Sequence, residues 1–241
     1  MSIVQTIVLK IKRKDNRVYA LLHDLYRAMR RIEVPVIRPL HALLYYERAA
    51  RRAFIRNLVR LLYYEPLFKA RCARVGRGCR LVQTMPLISG NLQIYLGDRV
   101  TIDGTNTFES TAVFDAPVLH IGTNTTIAYH VAISVAKEVT IGENCFIAKE
   151  VTIMDNDGHP LDPVKRAKHE RVSPDDVKPV HIGNNVWIGS YAMILKGVSI
   201  GDGAIVGAHS LVIKDIPSHC IAAGNPAKVL RQLTHSEFSE T

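Results

Sequence analysis

The chain has 241 residues, of which 47% are hydrophobic, an ordinary value for a globular protein of one large domain or a small domain with an appendage. No apolar run approaches the roughly 18 residues that cross a bilayer, and the N-terminal stretch lacks the charge order and cleavage site of a secretory signal. The four cysteines show no CxxC spacing and are too sparse for a disulfide framework, so we expect reduced thiols and a cytoplasmic protein.

The formal net charge of +9 is unevenly distributed along the chain. Residues 1–80 contain 19 Lys and Arg against 5 Asp and Glu, whereas residues 81–241 contain 12 against 17. A basic segment favours either nucleic acid or an anionic membrane surface as a partner. No nucleic-acid-binding module accompanies it, so we expect no nucleic acid partner.

The N-terminal third has the pattern of amphipathic helices. Apolar residues over 18–29 recur at the spacing of one helix face, and Pro35 and Pro39 then indicate a break. A second helix is predicted over about 40–64, with arginines along its polar side. Such helices either pack on their own protein or make peripheral contact with the inner face of a membrane. The sequence leaves both interpretations open.

From Val75 the periodicity changes from helical to a count of six. The clearest run has six aliphatic residues spaced six apart: Ile182, Ile188, Ile194, Ile200, Val206 and Val212. Shorter runs keep the same count: Val75, Leu81 and Leu87; Leu96, Ile102 and Phe108; Ile121, Ile127 and Ile133; and Val135, Ile141, Ile147 and Ile153. Neither a strand nor a helix maintains this period. It predicts a solenoid with three short strands per triangular coil and one inward aliphatic residue per strand.

Three segments carry a family resemblance: IGNNVWIG at 182–189, ILKGVSIGDGAIVGAHSLVIKDIP from Ile194, and AAGNPAKVL from Ala222. Together they resemble the maltose/galactoside and polysaccharide O-acetyltransferase branch of the hexapeptide-repeat acyltransferases. The resemblance covers about residues 90–232. It implies an all-β solenoid, namely a left-handed parallel β-helix of hexapeptide repeats.

These observations predict three regions. Residues 1–74 form a basic α-helical region, residues 75–232 form the β-helix acyltransferase domain, and residues 233–241 form a C-terminal tail. The six-residue count stops after Ile153 and resumes at Ile182. Because insertions in solenoids emerge as loops and commonly carry function, residues 154–181 are predicted to be an inserted catalytic loop.

The inserted loop contains a candidate general base. Acyl transfer to a hydroxyl needs a base with a pKa near neutrality, and His159 in the segment DNDGHP has the suitable chemistry. Asp157 and Asp155 are the nearby carboxylates that could hold the second imidazole nitrogen, and either could instead cap a turn. The resemblance implies that His159 is the catalytic base of a direct transfer in a ternary complex.

The resemblance also implies the site of the acyl donor, acetyl-CoA, with no metal required. A backbone N–H near Ser190 is implied as the oxyanion donor, and Trp187 is implied beside the catalytic pocket. The implied coenzyme A contacts lie along the late coils: Trp187, Ser190, Ala208, Ile213, Lys214, Lys228 and Arg231. The cations among them suit the phosphates of coenzyme A.

The acceptor site departs from the family pattern. Where galactoside-type relatives carry Asn-x-Asn, this chain has Ala128-Tyr129-His130. His130 could replace one of the missing acceptor contacts, or it could be a coil-surface histidine. We expect a carbohydrate acceptor, and the identity of that acceptor stays open.

Several alternatives accompany this prediction. An N-acetyltransferase of an amino sugar or sugar nucleotide would share these features, and a non-catalytic scaffold or carbohydrate-binding protein would keep the fold alone. A γ-class carbonic anhydrase is disfavoured because the chain has no H-x4-H pair. The resemblance further implies a homotrimer, with active sites between neighbouring subunits.

Overall fold

The structure of the chain, a computed structural model, describes residues 2–234 and residue 237. Residue 1 of the predicted helical region and residues 235, 236 and 238–241 of the predicted tail lie outside the described residues. Contacts divide the chain into two units, Met1–Arg52 and Ala53–Thr241. The strands begin at Arg74, so the second unit also includes a short helical segment that precedes the solenoid.

Three helices occupy the N-terminal region: α1 Ile3–Arg13, α2 Arg17–Met29 and α3 Arg38–Val59, the last of which ends in the second unit. The side chains of Ser2 and Asn16 cap α1 and α2 by accepting hydrogen bonds from backbone N–H groups. Pro35 lies in the predicted break, but Pro39 lies in the first turn of α3, where a missing N–H is tolerated. No helix within the described residues is both long and apolar enough to cross a membrane.

A short helical segment covers the first end of the solenoid. A π-helical turn, Arg60–Tyr64, leads into α4, Glu65–Arg71, whose Phe68 is buried in the same core as the inward residues of the coils. Glu65 is also buried, and its Oε1 accepts hydrogen bonds from Arg60 Nη1 at 2.5 Å and Leu81 N at 3.2 Å. The segment therefore closes the apolar interior with a paired carboxylate at its edge.

The solenoid consists of three parallel sheets. Its strands are β1 Arg74–Val75, β2 Arg80–Leu81, β3 Leu87–Ser89, β4 Gln93–Leu96, β5 Thr101–Ile102, β6 Thr107–Ser110, β7 Val118–Ile121, β8 Thr126–Ile127, β9 Ala132–Val135, β10 Glu138–Ile141, β11 Phe146–Ile147, β12 Thr152–Met154, β13 Val180–Ile182, β14 Trp187–Ile188, β15 Met193–Ile194, β16 Ser199–Ile200, β17 Ile205–Val206, β18 Leu211–Val212, β19 Cys220–Gly224 and β20 Ala227–Gln232. Sheet A is β1-β4-β7-β10-β13-β16, sheet B is β2-β5-β8-β11-β14-β17-β19-β20, and sheet C is β3-β6-β9-β12-β15-β18. Only β20 pairs antiparallel among these strands. This architecture confirms the predicted solenoid and is consistent with a left-handed β-helix.

The inward residues form ladders that run through all three sheets. In sheet B, for example, Ile102, Ile127, Ile147, Ile188 and Val206 are register partners and are all buried. Coils approach closely at the corners: a Cβ atom built on Gly142 would lie 2.5 Å from Gly183 O, so only glycine fits there. The six-residue count thus positions one core residue per strand, as predicted.

The count fails in the first coil. Leu87, expected to point inward, is 65% exposed, and its neighbour Ile88 pairs in register with the buried Phe108. The prediction for Leu87 was therefore wrong by one residue. The segment between β2 and β3 has one extra residue relative to the later coils, and a shift by one residue moves a side chain to the opposite face of a strand.

The inserted loop connects β12 of sheet C to β13 of sheet A. It contains the short helix α5, Pro163–Ala167, and a 3-10 turn, Pro174–Asp176. Its returning half packs on the solenoid, because Val172 and Val177 form a small buried cluster with Ala136, Val113 and Phe114. Arg171 Nη1 also donates to Ala112 O at 2.5 Å. The loop therefore has a fixed return path, and its outgoing half projects from the corner.

Candidate active site

The base of the inserted loop is a buried carboxylate. Asp155, fully buried, directly follows β12, and its two oxygens accept hydrogen bonds from Ala136 N and Lys137 N, both at 2.6 Å, and from Glu138 N at 2.8 Å. Carboxylates that accept several backbone N–H bonds are held firmly. Asp155 thus anchors the start of the loop to the start of β10 and does not contact the imidazole of His159.

Two further contacts hold the segment between Asp155 and His159. Asn156 Oδ1 accepts from Gly158 N at 2.8 Å, which forms a tight Asx turn. Asp157 pairs through Oδ2 with Lys196 Nζ, and the same ammonium donates to Asp176 O at 2.9 Å. Lys196 follows β15, so one solenoid side chain ties the outgoing and returning halves of the loop together.

His159 lies at the exposed tip of this segment. Pro160 after it is buried, and Arg166 Nη1 donates to the carbonyl oxygens of Pro160 at 2.9 Å and Leu161 at 3.0 Å. The backbone on both sides of His159 is thereby fixed. The imidazole makes no hydrogen bond with any of the residues that the structure describes, so both of its nitrogens are open to a substrate or to a second copy of the chain.

A groove runs along the outer face of sheet B, with a volume of about 380 Å³. Its walls are the aromatic rings of Phe146 and Trp187, and Trp187 remains 51% exposed. The full lining is Phe146, Ala148, Trp187, Gly189, Ser190, Ile205, Val206, Gly207 and Ala208. Three of the residues predicted to bind the cofactor, Trp187, Ser190 and Ala208, therefore lie together in one apolar depression.

The groove also presents backbone donors. Neither Ser190 N–H nor Ala208 N–H donates a hydrogen bond within the described part of the chain, whereas the neighbouring Gly189 N–H donates to Val206 O at 2.8 Å. Both open donors stand at the corner between sheets B and C. An amide or an oxyanion placed beside Trp187 would find them unpaired.

The predicted phosphate-binding cations lie near the last coils. Lys228 and Arg231 are exposed on β20, the edge strand of the same sheet, and Ile213 and Lys214 are exposed just after β18 of sheet C. Arg231 donates from both terminal nitrogens to Glu237, each at 2.7 Å, and this carboxylate raises the pKa of the guanidinium. Any phosphate that binds Arg231 would compete with Glu237.

The predicted acceptor positions lie at a coil corner. Ala128, partly buried, follows β8, and His130 occupies the left-handed region with φ 60°. His130 Nδ1 lies 2.9 Å from Glu150 Oε1, and its ring stands edge-on to Tyr129. The second nitrogen of His130 has no hydrogen-bond partner among the described residues and faces solvent. This geometry is compatible with either interpretation of His130.

Within a single chain, the two parts of the candidate site, the loop with His159 and the groove with Trp187, lie apart. The loop with His159 leaves at the corner between sheets C and A, whereas the groove with Trp187 occupies the face of sheet B. No described contact joins His159 to a groove residue. Within one chain, His159 and the groove are therefore two separate surfaces.

Sequence reasoning missed three residues that shape the site: Phe146, Lys196 and Arg166. A signal existed for Phe146, because Phe146 and Trp187 each directly precede an inward isoleucine. The two aromatic residues are partners in register on neighbouring strands. The insertion between β12 and β13 hides that equivalence from a simple count. Nothing in the sequence indicates the contacts that Lys196 and Arg166 make, because their partners become neighbours only through the fold of the loop.

Comparison with known proteins agrees with this architecture. Residues 179–214 match the family model for bacterial transferase hexapeptide repeats. The matched segment begins at the end of the inserted loop and extends past β18, so it includes Trp187, Ser190, Ala208 and Lys196.

Two named relatives from Escherichia coli each align with about half of the chain. The galactoside O-acetyltransferase of Escherichia coli K12 is 44% identical over 115 residues, which are 48% of this chain and 54% of that protein. The polysialic acid O-acetyltransferase of Escherichia coli O1:K1 is 44% identical over 113 residues, 46% of this chain and 36% of that protein. A solved galactoside acetyltransferase in complex with coenzyme A is 30% identical, with 73% of this chain and 74% of that chain covered and a TM-score of 0.43.

This chain thus spans about half the length of the first curated relative and about a third of the second. The residues that match the repeat model, 179–214, lie within the solenoid and the end of the inserted loop. The repeat-model match and the two sequence alignments confirm the resemblance to the hexapeptide-repeat transferases.

Proposed function

We propose that this chain is an acetyl-CoA-dependent O-acetyltransferase that acts on a hydroxyl group of a sugar or a polysaccharide precursor. The observation that carries the proposal is the presentation of His159, an exposed imidazole on a backbone that neighbouring contacts fix on both sides. Histidine is the side chain whose ordinary pKa suits general-base catalysis near neutrality. The named activities of the two Escherichia coli relatives support the choice of acetyl group and hydroxyl acceptor.

The chemical step is direct transfer. His159 removes the proton of the acceptor hydroxyl as the oxygen attacks the thioester carbonyl carbon. The resulting tetrahedral intermediate collapses as the carbon–sulfur bond breaks, and His159 returns its proton to the departing sulfur. A single open donor such as Ser190 N–H would stabilise the oxyanion by about 3 kcal/mol.

The groove residues fit a coenzyme A arm. Pantetheine needs a narrow apolar channel with backbone donors, and the groove supplies Phe146 and Trp187 as walls and two open N–H groups. Lys214, Lys228 and Arg231 would hold the phosphates. The buried thiol of Cys145 donates to Gly183 O at 3.0 Å, and burial raises its pKa, which supports transfer without a cysteine acyl-enzyme.

We assign the aspartates of the loop to positioning. Asp155 and Asp157 already bind backbone amides and Lys196, respectively, so they hold the loop rather than the ring. Orientation of the imidazole would then come from the substrate or from a neighbouring subunit.

The separation of His159 from the groove supports a homotrimeric enzyme. In a head-to-tail ring each subunit uses two different surfaces, and a three-fold rotation closes the ring. We propose that His159 of one subunit faces the groove at Trp187 of the next. Each active site would then combine the inserted loop of one copy with sheet B of another.

The test is acceptor-dependent release of coenzyme A thiol from acetyl-CoA, measured with a panel of sugars, amino sugars, sugar nucleotides and glycans. His159→Ala is compared with His169→Ala, which removes an exposed histidine from the same loop. We expect release with a hydroxyl acceptor, a fall of ~10²-fold or more in His159→Ala, and little change in His169→Ala.

Two results would count against the proposal. Equal loss in both variants would mean that the loop was damaged rather than a base removed. Release only with amino sugars would replace the hydroxyl acceptor by an amine and make the enzyme an N-acetyltransferase.

A further inference from the structure

The first unit of the chain leaves its apolar residues uncovered. None of the residues of α1, α2 or α3 is buried, in contrast to the solenoid, where the inward ladders are sealed from solvent. Ile3 is 80% exposed and Leu21 is 69% exposed. Monomeric soluble proteins rarely expose contiguous apolar faces of this kind unless a partner covers them.

The exposed apolar residues form continuous stripes. At about 3.6 residues per turn, the apolar residues of α1 other than Leu9 fall on one side, with Lys10 and Lys12 at the two edges of that side. In α2 the stripe consists of Val18, Leu21, Leu22, Leu25 and Met29. The residues of α2 that are partly covered, Tyr19, Ala20 and His23, lie outside this stripe, so it remains open to solvent.

The same unit carries almost all of the net positive charge. Residues 1–52 contain 12 Lys and Arg against 4 Asp and Glu, a net charge of +8 out of +9 for the whole chain. Two of the four acids are already paired, Asp24 with Lys14 at 2.7 Å and Glu47 with Arg51 at 2.7 Å. A second copy of this unit would be repelled by like charge, whereas an anionic surface would be attracted.

We propose that the apolar stripes of α1 and α2 dock in the interface of an anionic lipid bilayer. Leucine, isoleucine and methionine side chains enter the boundary between headgroups and acyl chains, and the lysines at the edges of the stripe reach the lipid phosphates. The surrounding arginines add attraction that depends on the charge of the lipid and is screened by salt. The proposal does not depend on the activity of the solenoid.

The test is flotation of the full chain with liposomes of phosphatidylcholine alone or of phosphatidylcholine with 30% phosphatidylglycerol. We expect flotation with the anionic vesicles, at least a tenfold smaller floated fraction with the neutral vesicles, and release as salt is raised. The double variant Leu21→Asp/Leu25→Asp should lose flotation without unfolding, because both residues are exposed. Leu87→Asp, an equally exposed leucine on the solenoid unit, is the matched control and should float as the wild type does.

Three outcomes would overturn the proposal. Equal flotation with neutral vesicles would remove the role of charge, and unchanged flotation of the Leu21→Asp/Leu25→Asp variant would remove the role of the stripe. If the wild type did not float and that variant alone sedimented as a smaller species, the stripe would join copies of the chain instead of binding lipid.

Discussion

At the scale of single residues, the inserted loop depends on polar groups that are themselves buried. Asp155 is the clearest example, because its carboxylate satisfies three backbone N–H groups at the start of β10. Substitution by alanine would leave these donors without a partner in a site that water does not reach.

We therefore predict that Asp155→Ala lowers the free energy of unfolding by about 3 kcal/mol. Urea denaturation of the two variants Asp155→Ala and Asp175→Ala measures the effect. Asp175 is exposed in the same loop and should change stability by no more than about 0.5 kcal/mol. Similar values for both variants would contradict the anchoring role.

Lys196 is predicted to affect the rate of acetyl transfer indirectly, because it holds the loop that positions His159. Lys196→Ala frees Asp157 and Asp176 O from the solenoid, and we expect kcat to fall by about tenfold because misplaced catalytic groups lose rate steeply. Lys196→Arg should restore most of the rate, whereas Lys168→Ala, at an exposed lysine of the same loop, should leave it unchanged. A rise in KM with constant kcat would instead assign Lys196 to substrate binding.

The residue scale also shows what sequence could and could not predict. His159 could be proposed as a base from its chemistry, its place in an insertion and the family resemblance, and this role stays a prediction. The anchoring of Asp155 could not be predicted, because its donors lie 17 to 19 residues away, on the preceding coil. The pairing of Lys196 with Asp157 spans 39 residues and depends on how the loop folds back.

At the scale of elements, six-residue repeats made the solenoid predictable, since each strand needs only one inward residue at a constant interval. Prediction failed at Leu87, where an extra residue shifts the register. The second helix begins at Arg38 rather than at about residue 40, because Pro39 is tolerated in its first turn. The apolar face of each N-terminal helix was recognisable from the spacing of its apolar residues. Whether that face was covered could not be read from the sequence.

The helix that covers the solenoid end gives a prediction about pH. Cys72 follows α4 and packs against the core, and burial raises the pKa of its thiol from 9.0 to about 12, although Arg71 acts in the opposite direction. Between these values the folded chain keeps a proton that the unfolded chain loses, so stability falls as pH rises through this window.

The free energy of unfolding of the wild type minus that of Cys72→Ala isolates this effect. We expect the difference to be constant below about pH 8 and to decline between about pH 9 and pH 11. Urea titrations of both proteins across this range measure it, and groups common to both proteins cancel. A difference that stays flat with pH would show that the thiol ionises equally in the folded and unfolded chain.

At the scale of the whole molecule, the solenoid distributes its functional parts over different faces. The loop with His159 leaves at one corner, and the aromatic groove occupies another face of the coil. A single chain can hold both surfaces without bringing them together, and a ring of copies can join them. In the proposed trimer, this arrangement makes the active site a property of the assembly.

The most direct measurement is acetyl transfer by mixed assemblies of two inactive variants. His159→Ala removes the base, and Ala208→Trp fills the groove with a bulky ring. Each variant alone should be inactive, but trimers formed at random from equal amounts of both should recover activity in about a quarter of the sites, where an intact loop meets an intact groove. No recovery in assemblies that verifiably contain both variants would place the whole site within one chain and contradict the proposed shared site.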